Sequence, residues 1–302
     1  MSLSAMSRSC TFLVREGRTK MKLSVFFHHL ESWEREKKVS IDEVLESTKA
    51  LGIDYVELDM ADVARIGKEK LKKLLDRHKM KVSSIYCFYN WNADPEDFKE
   101  YEHIEQAKVL GSKKIMIIPG FYSDLKDEEK KKIELANMLK GMKKLCERAK
   151  SEGIIPTIED FDSEDSPIRN VEGMKKFLDE VDELRVAFDT GNFLYSGEEV
   201  KLAFEELKEK IVHVHLKDRK LKTAKEDLQL TNEQKEMLGE RKPAMTGDVM
   251  YSAYVGEGMI PIKEIVNKLE ESGFEGIFVI EHFGVTDYQK AVEASARYLL
   301  GK

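Results

Sequence analysis

From Met21 onward, eight short apolar or β-branched runs recur along the chain, separated by longer amphipathic stretches. The runs cover 22–27, 54–58, 81–86, 114–118, 154–159, 185–189, 211–216 and 277–281. Their centres step by 31, 28, 32, 41, 30, 26 and 66 residues, and most of these steps hold one strand, one helix and two short loops. The intervening stretches carry their own start signals. Ser40 and Glu43 form a capping box ahead of Ile41, Val44 and Leu45, and Asp94–Pro95 stands where a helix would open before Phe98, Tyr101, Ile104 and Ala107. A long Lys/Glu-rich helix is expected after Asp127, with its charge run as a solvated face. Glycines follow the helices at Gly52, Gly111, Gly153 and Gly273. Strand, helix and glycine in repetition specify parallel β/α units, and eight of them match a closed (β/α)8 TIM barrel in number and size. The competing architecture is an open doubly wound sheet. No Gly-x-Gly-x-x-Gly turn follows the first run, which weakens a dinucleotide-binding version of it.

The last step is the irregular one. It contains the polar segment of about 219–253, with a Thr231–Gln234 capping pattern, and reads as an insertion after strand 7 carrying a short helix. A lid, a subunit contact and a decorative loop are all open for it. Residues 1–20 lack the apolar core of a secretory signal and read as an N-terminal extension, partly vector-derived or disordered, ahead of a single barrel domain over 21–302.

Composition excludes some classes of function. The 302 residues carry 50 Lys plus Arg against 57 Asp plus Glu, a formal net charge of −7, so no broad phosphate-binding face and no nucleic-acid partner is expected. The longest apolar stretches, such as 115–118 and 277–280, fall far short of a membrane span. Cys10, Cys87 and Cys146 stand in unrelated contexts with no Cys-x-x-Cys pair, so the expected compartment is the reducing cytoplasm.

Active sites of barrels sit at the C-terminal ends of the strands, and four consecutive runs end in titratable residues. They are Glu159–Asp160, Asp189, His213 and His215 followed by Lys217–Asp218, and Glu281–His282. If Ile158, Phe188, Val212, Val214, Leu216, Phe278 and Ile280 face the helices, then Glu159, Asp189, His213, His215 and Glu281 all face the barrel axis. Converging carboxylates repel one another, and a divalent cation removes the conflict. Three carboxylates and one imidazole suit Mn²⁺, Mg²⁺ or Co²⁺, with Zn²⁺ as a further option. The alternative is that each residue is satisfied separately by salt bridges to Lys217 or Arg219.

In this order and spacing, Ile158-Glu159, Phe188-Asp189-Thr190-Gly191-Asn192, His213-Val214-His215-Leu216-Lys217-Asp218, Val255-Gly256-Glu257-Gly258 and Val279-Ile280-Glu281 form a recognisable pattern. The chain resembles, over about residues 21–300, the sugar phosphate isomerase/epimerase superfamily, the xylose-isomerase-like TIM barrels that include ketose 3-epimerases, inosose dehydratase and endonuclease IV. The resemblance implies that Glu159, Asp189, His215 and Glu281 bind one divalent metal ion and that Glu159 and Glu281 exchange protons with the substrate. It makes His213, one pleat deeper, the lesser ligand candidate, and it puts Asn192 where a substrate-contacting histidine often stands.

The expected chemistry is isomerisation or epimerisation of a sugar or sugar phosphate through proton abstraction next to a carbonyl and a metal-stabilised enediolate. Dehydration of an inosose-type polyol is the alternative, with a non-catalytic sugar-binding barrel or endonuclease IV-like DNA repair further behind. Candidate substrate-binding residues are His28 at the end of strand one, Tyr86 and Trp91 of the aromatic segment after strand three, Asn192, His213 and Arg219. Glu57 is a further inward carboxylate that could equally pair with a neighbouring base. His78 and His103 fall on expected helices, where packing is the simpler role. The expected partner is a small sugar, and a homo-oligomer is open.

Overall fold

Each of the eight runs is a strand, and the eight strands close on themselves. The computed structural model describes residues 21–97 and 100–301, the side chains of Glu100 and Tyr101 excepted; the extension over 1–20 and Phe98 lie outside the described residues. The barrel strands are β1 (Leu23–Phe26), β2 (Ile53–Asp59), β3 (Lys81–Phe88), β4 (Lys114–Ile118), β5 (Ile155–Ile158), β6 (Arg185–Asp189) and β7 (Ile211–Lys222). After two further strands, β8 (Arg241–Pro243) and β9 (Val249–Ala253), the barrel is completed by β10 (Phe278–Glu281). Neighbours pair in parallel from β1 round to β7, and β10 closes the ring by pairing with both ends, Phe278 opposite Leu23 on one side and opposite Val214 on the other.

The helices are α1 (Phe27–Lys37), α2 (Ile41–Ala50), α3 (Met60–Ile66), α4 (Lys68–Arg77), α5 (Glu100–Leu110), α6 (Glu128–Ser151), α7 (Val171–Glu180), α8 (Val200–Leu207), α9 (Ala224–Gln229), α10 (Asn232–Met237), α11 (Ile262–Glu271) and α12 (Tyr288–Leu300). None among the described residues is long and apolar enough to cross a membrane. The Ser40–Glu43 capping box opens α2, and the Asp127 side chain caps α6, whose outer charges pair with each other at exposed positions such as Lys132–Glu129. Gly52 ends the α2 unit at φ 94°, a conformation that a Cβ would strain.

Strand alternation divides the core into two layers. Ile158, Phe188, Val214, Leu216, Phe278 and Ile280 point outward into the shell between strands and helices, while Val212 is only half-buried. Phe26, Tyr86, Met116, Ile118, Ala187 and Val279 fill the interior. A period of two assigns these residues to their layers, and it slips at irregularities such as that in β3, where Val82 and Ile85, three residues apart, both face outward.

Three local expectations are corrected. The Asp94–Pro95 signal makes a turn, with Asp94 Oδ1 accepting from Glu96 N at 2.9 Å, and the described helix begins at Glu100. The first strand stops at Phe26, so His28 and His29 lie in the first turn of α1 instead of at a strand end. The insertion begins inside a strand. β7 continues to Lys222 and pairs antiparallel with β9, Arg219 opposite Ser252, and β8 adds a third strand with Lys242 opposite Met250. Two short helices, α9 and α10, sit at the far end, each with its own Thr-led capping box, where the sequence had indicated one. Buried Asp227 ties this arm together: its oxygens accept from Arg241 Nη2 at 2.7 Å and from the Tyr251 hydroxyl. Those two donors hold its pKa down at about 2.

Candidate active site

The inward face of β5, β6, β7 and β10 ends in the four residues that the alternation had aligned. Glu159, Asp189, His215 and Glu281 each offer one ligand atom, and these atoms all lie within 4.8 Å of one another. His215 Nδ1 contacts Glu159 Oε1 directly and lies 3.3 Å from Glu281 Oε2. Asp189 Oδ1 accepts from the backbone N–H groups of Gly191 at 2.6 Å and Asn192 at 2.7 Å, a turn that fixes the carboxylate in place. Glu281 Oε1 receives the Lys217 ammonium at 2.6 Å, and the same ammonium donates to Asn192 Oδ1 at 2.8 Å and lies 3.9 Å from Asp189 Oδ2. Asn192 in turn donates to the Asp160 carbonyl at 2.8 Å.

Burial dominates the electrostatics. It pushes the carboxyls of Glu159 and Asp189 above their usual range, the neighbouring charges of His215 and Lys217 only partly opposing it. At Glu281 burial acts in the same direction, but the Lys217 ammonium and His215 outweigh it and hold the group well below. His215 is the reverse case: burial opposes protonation, and the facing carboxylates of Glu159 and Glu57 overcome it. Asp189 Oδ2 and Glu281 Oε2 are buried without a hydrogen bond among the described residues. An unpaired buried carboxylate oxygen is costly. Three carboxylates and one imidazole nitrogen at this spacing, with two oxygens that lack a hydrogen bond, fit a single divalent cation, and the donor set is that of an oxygen-preferring metal. Lys217 and His215 are the groups that offset the three carboxylates here.

Above the cluster lies a cavity of about 380 Å³, with Glu159 and Glu281 in its wall. Aromatic rings form much of the rest. Phe26 meets Tyr86 edge-on at 5.7 Å and Phe283 at 5.5 Å, and Phe88 meets Phe161 at 5.9 Å, with Phe121 packed against both from outside the lining. The Tyr86 hydroxyl hydrogen-bonds Asp59. Arg219, from the extended end of β7, and Lys242, from β8, share Asp162 at 3.3 Å and 2.8 Å.

Of the residues singled out for substrate contact, Tyr86, Asn192 and Arg219 line this cavity. Three others do not. Trp91 is buried behind β3, stacked on Tyr89 at 4.1 Å and pressed onto α6 where Gly141 leaves room for the ring. His28 is half-buried on α1 and stacks on Phe283 at 6.0 Å, outside the cavity lining. His213 points to the axis but one layer deeper, its Nε2 2.7 Å from Glu57 Oε2. The lining also includes residues that sequence reasoning missed. Phe26, Met116 and Ile118 were available from alternation, being inward positions of β1 and β4. Phe161, Asp162 and Phe283 lie just past strand ends, and Glu240 and Lys242 come from the arm, where no local pattern points to a barrel mouth.

Comparison with known proteins agrees with this architecture. An inosose dehydratase of Clostridium perfringens (strain 13 / Type A) is 26% identical over 234 residues, 70% of this chain and 73% of that protein. Among solved structures, a probable 3-DHS dehydratase involved in petrobactin synthesis from Bacillus anthracis superposes with a TM-score of 0.68 at 17% identity, covering 92% of this chain and 98% of the other. A D-psicose 3-epimerase from Clostridium cellulolyticum H10, solved with D-tagatose, gives 0.66 at 15% identity, covering 93% and 97%. The family model described as "Xylose isomerase-like TIM barrel" matches residues 45–301, and the chain belongs to that family.

Proposed function

We propose that this protein is a divalent-metal-dependent isomerase or epimerase of a small sugar or sugar phosphate, acting by proton abstraction next to a carbonyl. The observation that carries the reading is the convergence of Glu159, Asp189, His215 and Glu281 beneath an aromatic-walled cavity. A cation held by these four residues, Mn²⁺, Mg²⁺ or Co²⁺ by donor type, would supply a Lewis acid beside the substrate carbonyl. The chain's own residues do the rest. Glu159 and Glu281 stand on strands separated by β6 and β7, so their carboxyl groups reach a bound sugar from two sides. Glu159 and Glu281 are the pair that exchanges protons with the substrate, one removing the carbon-bound proton and the other returning one. Return to the other face of the same carbon is epimerisation, and return to the neighbouring carbon is aldose–ketose isomerisation. The aromatic wall packs the apolar face of the sugar and excludes water.

A second reading, dehydration of a polyol ketone, is favoured by the Lys217 ammonium, a buried proton donor 2.6 Å from Glu281, and by the name of the curated relatives. Here Glu281 takes the proton next to the carbonyl, the C–O bond of the β-hydroxyl breaks, and the hydroxide leaves as water with a proton from an acid such as Lys217.

Elemental analysis of the purified protein, followed by NMR in D₂O with ketoses, their phosphates and inososes, separates the readings. Deuterium entering the carbon next to the carbonyl with retention of all hydroxyls supports isomerisation or epimerisation; loss of water supports dehydration. A metal-free wild type, or metal content unchanged in both Glu159→Gln and Glu281→Gln, refutes the site.

A further inference from the structure

Below the four-residue cluster, the barrel axis holds a second group of polar residues that the proposed reaction does not use. Glu57 on β2 stretches across the interior so that Oε2 lies 2.7 Å from His213 Nε2 and Oε1 lies 3.2 Å from His215 Nε2. All three side chains are fully buried. Ser83 donates to the Val56 carbonyl at 3.1 Å, with Glu57 Oε2 3.3 Å away, and its oxygen also contacts the Ser24 hydroxyl at 2.8 Å, so the carboxylate sits in a fixed cradle. Burying a carboxylate this deeply is costly unless its partners are permanent, and the two imidazoles are the partners it has.

The two nitrogens of His215 thus face different groups. Nε2 faces Glu57, and Nδ1 faces Glu159 and Glu281. An ionised carboxylate only accepts, so a proton on Nε2 satisfies Glu57; Nδ1, which contacts Glu159 here, presents its lone pair to the cluster when a cation takes the place of that contact. With the proton on Nδ1 instead, two lone pairs would face each other at Glu57 and a donor would occupy the cation's place. We infer that Glu57, anchored by His213, is a positioning residue that locks His215 in its Nε2–H tautomer and so makes Nδ1 the ligand atom of the proposed metal site. This rests on the metal reading above. Carboxylates that accept from the outer nitrogen of a ligating histidine raise the affinity of such sites by about 10- to 100-fold.

The test reads tautomer and affinity, and neither depends on turnover. Long-range ¹H–¹⁵N correlation on the Mg²⁺-loaded wild type is expected to find His215 protonated at Nε2. Glu57→Leu takes away the acceptor facing His215 Nε2 and should release the ring to the other tautomer, with Mn²⁺ affinity by EPR titration falling about 10- to 100-fold at unchanged stoichiometry. Glu57→Asp, which retains an acceptor, should recover part of both signals; a purely structural role would not. His215 protonated at Nδ1 in the loaded wild type overturns the inference, whether or not any variant folds. So does Mn²⁺ affinity unchanged in a folded Glu57→Leu, or two Mn²⁺ per chain with the second lost on His213→Gln, which would make the lower group a ligand set of its own. A wild type that binds no Mn²⁺ at all is the failure of the underlying reading, and is distinguishable from each of these.

Discussion

Replacing Asp218 with alanine removes one carboxylate on which an entire loop is hung. Asp218 follows Lys217 on β7 and is buried; its Oδ2 accepts from Gly256 N at 2.9 Å and Gly258 N at 3.0 Å, and its Oδ1 from Ile260 N at 3.0 Å and Arg219 N at 2.9 Å. A hydrogen bond to a charged acceptor is worth about 1.5–3 kcal/mol. The Ile260 donor is buried and loses most of that, about 2–3 kcal/mol, while the two glycine donors are part-buried and recover water, losing about 0.5–1 kcal/mol each. These three loop bonds alone put the expected loss of unfolding free energy at about 3–5 kcal/mol, the range for breaking a buried charged network, and the buried Arg219 donor adds to it. Urea titration measures it, and hydrogen exchange locates it: the amides of Gly256, Gly258 and Ile260 should lose protection first. Gly258→Ala should act alike, because its Cβ would fall 2.0 Å from Asp218 Oδ1. A loss below about 1 kcal/mol in Asp218→Ala with the three amides still protected would refute the reasoning.

Other outcomes follow from single contacts. Lys217→Met removes the cation that competes for Glu281 and Asp189, so Mn²⁺ affinity should rise roughly tenfold or more while deuterium exchange into substrate falls; unchanged affinity would mean that the 2.6 Å ion pair does not oppose the metal. His103 is buried, with Nε2 2.9 Å from the Ile85 carbonyl and Nδ1 2.9 Å from the Tyr89 hydroxyl, and burial lowers its pKa from 6.5 to about 4. The unfolded chain then takes up the proton first, so stability falls as pH drops below 6.5 and levels off below about 4. Between pH 7 and pH 5 this amounts to about 2 kcal/mol, which His103→Gln should abolish in paired urea titrations. Asp227→Asn weakens the hold on Arg241 and Tyr251 and should speed tryptic cleavage within the arm at 220–242, with the barrel fragments intact.

What could be read from the sequence follows the range over which each geometric rule operates. Within a regular stretch of parallel strand, alternation is a local rule, so Glu159, Asp189, His215 and Glu281 could be aligned on one face from four separate segments. Past the strand end that rule lapses. His28 is only two residues beyond Phe26, yet the chain has turned helical and the ring stacks on Phe283 without reaching the cavity wall. Trp91 is three residues beyond Phe88, and its direction is decided by a glycine on α6, fifty residues later, that leaves a slot for it. The arm's contribution is equally non-local, since Lys242 reaches the mouth because β8 pairs with β9 and β9 with β7.

Glu57 lies between these cases. Alternation directs it inward, but its role depends on two histidines more than a hundred and fifty residues away, and only barrel closure brings them within 3.2 Å. Three carboxylates and one histidine predict that a cation fits. Glu57 adds which nitrogen of that histidine is free to bind it, and that choice is made by a strand on the far side of the barrel from β6 and β7. The upper cluster and the lower one are thus one device: the lower fixes a proton so that the upper presents a lone pair.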